Sequence, residues 1–314
     1  MNANKLSRRT WLAATSAVAL TSATSSNFAA DKKPRRPLLG FSLYGMKTLS
    51  LSDGLAQCAA IGYRCVELPV LADWAGDSAK FSAAAQKEFR AGLAKHDLRL
   101  TALMENLPLL GDEAKHRGNL GRLKAAAEIA RAMSDTDPPL VETVLGGKPA
   151  EWETVKQQFV DRLGEWARVM QQAGVQLAVK AHISNAIQRP DQLAWVLEQV
   201  NNRWLTAAYD FSHFQLQKMD HRDTLKMLAE RISFVHVKDA QGEPGKFQFL
   251  LPGEGTIDYQ HLFETLAQVG YTGDILVEVS GQIFNKAGYD PVAAAKKSYA
   301  ALAPAMKRFS GESP

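Results

Sequence analysis

The chain has 314 residues, of which 46% are hydrophobic and 22% charged, a composition that can fill the core of a large globular domain. Its formal net charge of +4 falls to +1 (34 basic, 33 acidic) beyond residue 30, because residues 1–30 hold three basic groups and no acidic one. Such a nearly neutral remainder excludes a nucleic-acid partner, which would require a basic surface.

Residues 1–30 are typical of a secretory signal peptide. Three basic groups, Lys5, Arg8 and Arg9, precede an apolar run from Trp11 to Leu20, and small residues follow. The arginine pair resembles a twin-arginine signal, so we expect a periplasmic or otherwise exported protein. The apolar run is too short to span a bilayer, and no membrane anchor is expected after cleavage. Residues 31–37, basic and rich in proline, form a predicted linker.

Strand-like and helix-like stretches alternate eight times between residues 38 and 309, and residues 310–314 form a tail. This alternation predicts a single (β/α)8 TIM barrel with its functional site at the carboxyl ends of the strands. An open doubly wound sheet is the alternative, but no Gly-x-Gly-x-x-Gly turn follows the first strand. The predicted strands span residues 38–43, 64–68, 98–104, 140–145, 175–179, 204–209, 232–235 and 274–277.

Helix boundaries and cysteines add two local predictions. The fourth predicted helix has apolar residues at three- and four-residue steps and ends at Gly174, whereas the last helix begins with Asp290-Pro291. Cys58 and Cys65 lie seven residues apart. They form either a disulfide, which export would permit, or two buried thiols, which is the usual environment of cysteine.

Polar side chains stand at the carboxyl ends of the fifth to eighth predicted strands. A parallel barrel brings these ends to one rim, so we expect the side chains to converge. Carboxylate and imidazole groups that meet at one point can bind a divalent metal, and Asp210, His236 and Glu278 are the candidate ligands. The complete set is Lys180, His182, Asp210, His213, His236, Lys238 and Glu278.

Other residues of the predicted rim are candidates for substrate contact or catalysis. Glu142 is a carboxylate within an apolar strand, where an ionised group is unfavourable unless it has a function. Glu67 ends the second strand, Trp74 could stack on a sugar ring, and Glu254 lies in a Gly-flanked turn that could close over a substrate. The remaining histidines are interpreted as surface residues: His96, His116, His221 and His261.

The order of these groups resembles the xylose isomerase-like superfamily of sugar phosphate isomerases and epimerases. The segments 253–259 (GEGTIDY) and 270–274 (GYTGD) carry the resemblance further, and it extends over residues 38–309. It implies a divalent metal, manganese, magnesium, cobalt or zinc, held by carboxylates on strands five, six and eight and by a histidine on strand seven. The last three positions match Asp210, His236 and Glu278. The resemblance also implies that His213 contacts the substrate or the metal.

Lys180 stands where the family has its strand-five glutamate, and three interpretations of this departure are open. His182 or Glu142 could complete the metal shell, which would leave Lys180 as an acid or base with a lowered pKa. Alternatively, the ammonium of Lys180 occupies the metal position, tied to Asp210 and Glu278. In the third interpretation the site is catalytically inactive and only binds sugar.

The resemblance favours a metal-assisted sugar isomerase or epimerase that acts through an enediolate on a non-phosphorylated or oxidised sugar. Lys180, Glu142 or Glu278 would move the proton. The alternatives are a sugar lyase or dehydratase, which eliminates water or a glycoside next to a carbonyl, and a non-catalytic carbohydrate-binding barrel. The residues expected to contact the sugar are His182, His213, Lys238, Glu67, Trp74 and Glu254.

Overall fold

A computed structural model describes residues 36–311, so the predicted signal peptide, most of the predicted linker and residues 312–314 lie outside the described residues. Eight parallel strands form a closed barrel, and an antiparallel hairpin, β8 and β9, follows the seventh of them. The strands are β1 (Leu39–Ser42), β2 (Cys65–Pro69), β3 (Arg99–Met104), β4 (Leu140–Val144), β5 (Leu177–Lys180), β6 (Leu205–Asp210), β7 (Ile232–Val237), β8 (Asp239–Glu243), β9 (Lys246–Leu250) and β10 (Ile275–Val277).

Helices cover the outside of the barrel. They are α1 (Leu51–Ile61), α2 (Ala83–Lys95), α3 (Glu113–Met133), α4 (Trp152–Ala173), α5 (Pro190–Val200), α6 (Phe211–Gln215), α7 (His221–Leu228), α8 (Tyr259–Gln268), α9 (Gly281–Phe284) and α10 (Pro291–Phe309). Within residues 36–311, none of them combines the length and the hydropathy that a membrane span requires. The predicted helix ends are confirmed: Gly174 follows α4 with a φ of 67°, and Asp290 caps the backbone N–H groups of Val292 and Ala293.

The first and last barrel strands pair directly, which closes the sheet. β1 runs parallel to β10, with Phe41 opposite Val277, and parallel to β2 on its other side. The predicted (β/α)8 barrel is therefore confirmed, and the open doubly wound sheet is excluded. The hairpin β8–β9 was not predicted, because its polar turn resembles an ordinary loop in the sequence.

The core has two parts, one between strands and helices and one inside the barrel. Large apolar side chains such as Phe159, Leu163 and Trp166 of α4 pack against the outside of the strands. The amino-terminal half of the interior holds a smaller apolar cluster, because each strand alternates between the two faces of the sheet. Its members are Cys65, Ala102, Leu140, Ala178, Ala208, Phe234 and Leu276.

Two local expectations are decided by burial. Cys58 and Cys65 both lie in the described part of the chain, and no disulfide joins them. Both are buried thiols, as one of the two interpretations predicted. Burial raises the pKa of Cys58 to about 12, which leaves its thiol protonated at neutral pH.

The surface assignment of His116 is wrong, because its ring is buried and its Nε2 atom lies 3.0 Å from Oε2 of Glu165.

Candidate active site

A layer of charged side chains lines the carboxyl-terminal half of the barrel interior. A residue two positions beyond an apolar inward residue points inward as well, as Glu67 does after Cys65 and His236 after Phe234. The side chain of Glu278 is 11% exposed, more than that of any other member of this charged layer. The charged layer consists of Glu67, Glu142, Lys180, Asp210, His236 and Glu278, all buried residues.

Lys180 is a central cation of the charged layer. Its Nζ atom lies 3.1 Å from Oε2 of Glu278, 3.1 Å from Oε1 of Glu142 and 2.9 Å from Nδ1 of His236. Burial by itself would lower the pKa of Lys180, but the facing carboxylates, first Glu142 and then Glu278, raise it above the usual value. The expectation of a lowered pKa is therefore wrong. Lys180 remains an ammonium at neutral pH and serves as a hydrogen-bond donor.

Lys238 is a second central cation, two positions beyond His236. Its Nζ atom donates to Oδ2 of Asp210 and, over 2.5 Å, to Oε2 of Glu278. The side chain is 2% exposed, and its ammonium lies 4.9 Å from the centre of the Phe249 ring. Lys238 bridges Asp210 and Glu278, the position that one interpretation assigned to Lys180. Its contact with a substrate stays a prediction.

The two lysines keep Asp210 and Glu278 ionised. Burial would raise the pKa of each carboxyl, but nearby cations outweigh this effect and hold both pKa values well below the usual range. Lys238 is the main cause at Asp210, and Lys180 followed by Lys238 at Glu278. Oδ1 of Asp210 also accepts hydrogen bonds from the backbone and the hydroxyl of Ser212 at the start of α6. Both carboxylates are thus negatively charged at neutral pH.

Glu67 orients His236 from below. Its Oε2 atom accepts hydrogen bonds from Nε2 of His236, at 3.0 Å, and from the hydroxyl of Ser42, at 2.5 Å. A proton on Nε2 leaves Nδ1 of His236 as the acceptor that faces Lys180. Glu67 was expected to contact substrate, but it is fully buried beneath the imidazole. Its contacts show that it positions His236, and contact of Glu67 with a substrate stays a prediction.

Glu142 is the member of the charged layer with the fewest partners. Its two carboxylate oxygens are buried and accept no hydrogen bond within the described chain, although Oε1 is at ion-pair distance from Lys180. Burial raises the pKa of Glu142, and the neighbouring Lys180 and His236 only partly oppose this effect. The side chain of Glu142 is 0% exposed, and its contact within the charged layer is with Lys180. A catalytic role for Glu142 stays a prediction.

Two imidazoles stand beside the charged layer. The rings of His182 and His213 lie 4.3 Å apart, and Phe249 of the hairpin packs 5.0 Å from His213. Burial lowers the pKa of His213 to about 4 and that of His182 well below its usual value. Both rings are therefore neutral at pH 7. His182, which is partly exposed, can offer a hydrogen bond to a sugar hydroxyl, as predicted for it.

Aromatic side chains form a wall next to the charged layer. Tyr44 stacks on Trp74 with ring centres 4.8 Å apart, and Phe284 of α9 meets Tyr44 edge-on at the same distance. Burial raises the pKa of Tyr44 to about 12, with Glu278 as the next cause, so the phenol lies within electrostatic range of the charged layer. An aromatic face beside hydrogen-bonding groups is suited to a sugar ring. Trp74 was predicted for this role, whereas Tyr44 and Phe284 were not.

The contacts of Glu254 are with residues outside the charged layer. Its carboxylate pairs with Lys297 of α10, 2.5 Å away, and accepts a hydrogen bond from the backbone of Leu251. These contacts fix the turn in which Glu254 lies. Closure of Glu254 over a substrate stays a prediction.

The fold of this site is shared with a known family. The Xylose isomerase-like TIM barrel family matches residues 55–305, which is most of the chain. The chain belongs to the xylose isomerase-like TIM barrel family. Membership identifies the fold rather than one reaction, because one fold can carry many functions.

Relatives within the family include a dehydratase and an epimerase. Inosose dehydratase of Geobacillus thermodenitrificans is 26% identical over 179 residues, which cover 52% of this chain and 60% of that protein. L-Ribulose-5-phosphate 3-epimerase of Escherichia coli O157:H7 is 29% identical over 143 residues, which cover 46% of this chain and 48% of that protein. The matched region is thus about half to three-fifths of each curated relative.

A solved structure of the IolI protein with a bound zinc atom shares the fold. It has a TM-score of 0.73 at 18% sequence identity, and the alignment covers 87% of this chain and 99% of that chain. At this identity the likeness shows the shared fold alone. The divalent metal is an expectation from the sequence of this chain. The donor atoms of the chain provide a direct test of that expectation.

The three candidate metal ligands do converge, but ammonium groups already contact them. Ligand atoms of Asp210, His236 and Glu278 all lie within 4.8 Å of one another, as predicted. Lys238 contacts the first and third of these residues, and Lys180 contacts the second and third. An ion bound about 2.0–2.3 Å from these atoms would be pressed against both ammonium groups. These three residues therefore do not fit a divalent ion while both lysines remain in these positions. A second converging group, Glu67, Glu142 and His236, has Lys180 against two of its three members.

Sequence reasoning found His182 and Lys238 but missed Tyr44, Phe249 and Phe284. Lys238 follows His236 by two positions, which is the alternation of a strand. Tyr44 follows Ser42 by two positions but lies in a short 3-10 helix, Leu43–Met46, so strand alternation does not extend to it. Phe249 and Phe284 carry no such signal, because they reach the site from the hairpin and from a short helix.

Proposed function

We propose that this protein is a sugar isomerase or epimerase, which moves a proton on a carbon next to a carbonyl group. One observation carries the proposal: two ammonium groups, Lys180 and Lys238, converge on Glu278, the most exposed carboxylate of the charged layer. Cations beside a carboxylate are what enolisation requires, because the reaction removes a proton and leaves negative charge on the carbonyl oxygen. The aromatic wall and His182 supply the features that bind a sugar.

Glu278 is the proposed base. Both lysines hold its Oε2 atom, so Oε1 is the oxygen that remains for a substrate proton. Its lowered pKa keeps it ionised at neutral pH. As the proton moves to Glu278, the electron pair of the broken C–H bond forms the enediolate double bond, and the carbonyl oxygen becomes an oxyanion that accepts a hydrogen bond from the ammonium of Lys238. Glu278 then returns the proton to the neighbouring carbon. The hydroxyl on the carbon that lost the first proton passes its own proton to the oxyanion and becomes the new carbonyl, which completes an isomerisation.

The test is deuterium exchange from solvent. Aldoses, ketoses and oxidised sugars without phosphate would be incubated with the protein in D₂O, and incorporation next to the carbonyl would be followed by NMR. We expect exchange with at least one sugar and a loss of about 10²–10³-fold in Lys238→Met, the usual effect of removing one oxyanion donor. Glu278→Gln should abolish exchange. Glu128→Gln, the same chemical change at an exposed position of α3, should leave it intact.

Elimination is the second candidate, and a specific observation favours it. Lys180 occupies the position of the strand-five glutamate, so the site has one accessible carboxylate rather than two. A single base suffices to remove a proton before a hydroxyl or glycoside leaves, whereas inversion of a carbon calls for groups on both of its faces. An inosose dehydratase is also among the relatives. A product that is lighter by one water would identify a dehydratase, and exchange without loss of mass would identify an isomerase or epimerase.

A sugar-binding protein without activity is the outcome that would contradict both candidates. It would show saturable sugar binding, no deuterium incorporation and no elimination with any member of the panel.

We also propose that the protein is exported and that its substrate carries no phosphate. The support is the basic and apolar pattern of residues 1–30, including Arg8 and Arg9, which lies outside the described residues. Cell fractionation would test this proposal, with an Arg8→Lys/Arg9→Lys double variant as the control that should remain in the cytoplasm. Equal retention of both proteins in the cytoplasm would contradict export.

A further inference from the structure

The converging ligand atoms of Asp210, His236 and Glu278 each face an ammonium group. Lys238 contacts Oδ2 of Asp210 and lies 2.5 Å from Oε2 of Glu278. Lys180 lies 3.1 Å from the same Oε2 atom and 2.9 Å from Nδ1 of His236. Both Nζ atoms therefore contact Oε2 of Glu278. In addition, Lys238 contacts Asp210 and Lys180 contacts His236. A cation bound by three ligands would contact this same set of atoms.

Both lysines are buried residues of the barrel interior rather than surface side chains that extend into the site. Both side chains are 2% exposed, and the ammonium of Lys238 packs against the ring of Phe249. The carboxylates of Glu142, Asp210 and Glu278 surround them, and a buried ammonium is stable where carboxylates compensate its charge. Moving either lysine away would leave at least one buried carboxylate without its cation.

The charges of the site also agree with two fixed monovalent cations. Lys180 is paired with Glu142 and Glu278, and Lys238 with Asp210 and Glu278, so each ammonium has two carboxylate partners. An ammonium has three N–H groups. Lys238 uses two of them on its carboxylate partners, so the third can donate to an oxygen that gains negative charge during a reaction. The ammonium of Lys180 already faces three protein partners.

We propose that Lys180 and Lys238 replace the divalent ion in this barrel, and that the ammonium of Lys238 binds the carbonyl oxygen of the substrate. The first half stands on the contacts of the two lysines. The second half rests on the proposed function, because it assumes a substrate that carries a carbonyl group. Lys238, which bridges the candidate ligands Asp210 and Glu278, takes the position closest to that of an ion.

Metal binding can be measured without any substrate. The mature protein, purified without chelator, would be examined by elemental analysis and by thermal unfolding with added Mn²⁺, Co²⁺, Zn²⁺ or EDTA. We expect no stoichiometric metal and no metal-dependent or EDTA-dependent change in Tm. The variant Lys180→Glu/Lys238→Met removes both ammonium groups and places a carboxylate on β5. It should bind one of these ions at least tenfold more tightly than the wild type and show a saturable rise in Tm.

The outcomes separate the proposal from its alternatives. Stoichiometric metal in the wild type, or a metal-induced rise in Tm that Asp210→Ala abolishes, would overturn it. Failure of folded lysine variants to gain metal affinity would also overturn it, because the lysines would then not be what excludes the ion. The single variant Lys238→Met serves if the double variant does not fold. Since none of these readouts uses a sugar, they remain valid even if the exchange assay finds no activity.

Discussion

Lys180 compensates carboxylates that burial would otherwise leave without a cation. Glu142 is 0% exposed and has Lys180 as its ion-pair partner, whereas Glu278 is paired with both Lys180 and Lys238. In a buried group of this kind the loss of one partner is far more harmful than the loss of a pair, because the remaining charge cannot be solvated. The stability of the site therefore depends on the balance of its charges as much as on any one contact.

A double-mutant cycle tests this dependence. Lys180→Met should lower the free energy of unfolding by about 3–5 kcal/mol, because Glu142 then lacks its cation. Adding Glu142→Gln should restore part of the loss, since a neutral amide needs no cation. Lys156→Met removes an exposed ion pair with Glu153 and should change the free energy by about 1 kcal/mol or less. Additive effects of the two central substitutions in urea unfolding would contradict the coupling.

Acid should destabilise the protein through Asp210 and Glu278. Their pKa values are lowered in the folded state, so their contribution is present above the unfolded values, about 3.9 and 4.3, and is lost as pH falls toward the folded values. Glu142 has the opposite sign: its raised pKa gives a contribution present at low pH and lost as pH rises through the folded value. Within the charged layer, two carboxyls with lowered pKa values outnumber the one with a raised pKa value, so we expect these residues together to lose stability in acid.

Urea unfolding between about pH 6 and pH 3 would measure this loss. Glu278→Gln should reduce the dependence of the unfolding free energy on pH, because an amide does not titrate. Glu128→Gln, on the exposed face of α3, should leave the dependence unchanged. The same pH profile in wild type and Glu278→Gln would show that the two lysines do not perturb Glu278.

At the scale of elements, the close approach of β1 and β2 depends on a residue without a side chain. A Cβ atom at Gly40 would lie 2.5 Å from Sγ of Cys65 and 2.7 Å from its carbonyl oxygen. The strands on either side cannot separate without disturbing the closed ladder that carries the charged layer. Gly40 is therefore needed because β1 and β2 leave no space for a side chain there, and not because the backbone turns at this position.

A pair of glycine substitutions tests this requirement. Gly40→Ala should lower the free energy of unfolding by about 1–3 kcal/mol or more, because the added methyl group collides with backbone. Gly118→Ala lies in α3 with no atom within 4 Å of the new Cβ, and it should raise stability by about 0.5–1 kcal/mol. Thermal and urea unfolding of both variants would measure the difference. Equal effects would contradict a steric cause.

At the scale of the whole molecule, the two ends of the barrel have different tasks. Charged groups at the carboxyl end form the candidate active site, whereas Asp274 at the amino end ties strands together. Its carboxylate accepts hydrogen bonds from Arg99 at 2.9 Å and from Thr101 at 2.6 Å, across the barrel from β10 to β3. A cleft of about 680 Å³ at this end is lined by Leu38, Arg64 and Arg99, and it contains no residue of the charged layer.

Substitution at the amino end should therefore affect stability without affecting chemistry. Asp274→Ala should lower the free energy of unfolding by about 1–3 kcal/mol, because the buried hydroxyl of Thr101 loses its acceptor. The kcat of the folded variant should equal that of the wild type, since TIM barrels keep their chemistry at the opposite face. Unfolding and turnover would be measured on one preparation. A drop in kcat at unchanged stability would contradict the division of tasks.

The sequence by itself determined the barrel and the composition of its active end. Eight alternations of apolar runs and amphipathic helices predict a closed (β/α)8 fold, since both periodicities are local properties that the chain carries along its length. The strand-end positions of Asp210, His236 and Glu278 then follow from the fold, because parallel strands bring their carboxyl ends together. The departure at Lys180 was also visible in the sequence.

Only the tertiary structure decided which charged groups of the site pair with one another and in which direction their pKa values shift. The direction of the Lys180 pKa depends on the balance between burial and facing carboxylates, and distances across the barrel set that balance. The bridging place of Lys238 and the role of Glu67 beneath His236 arise from pairings 28 to 169 residues apart in the chain. Such pairings leave no local pattern, because the chain must close into a barrel before these groups can meet.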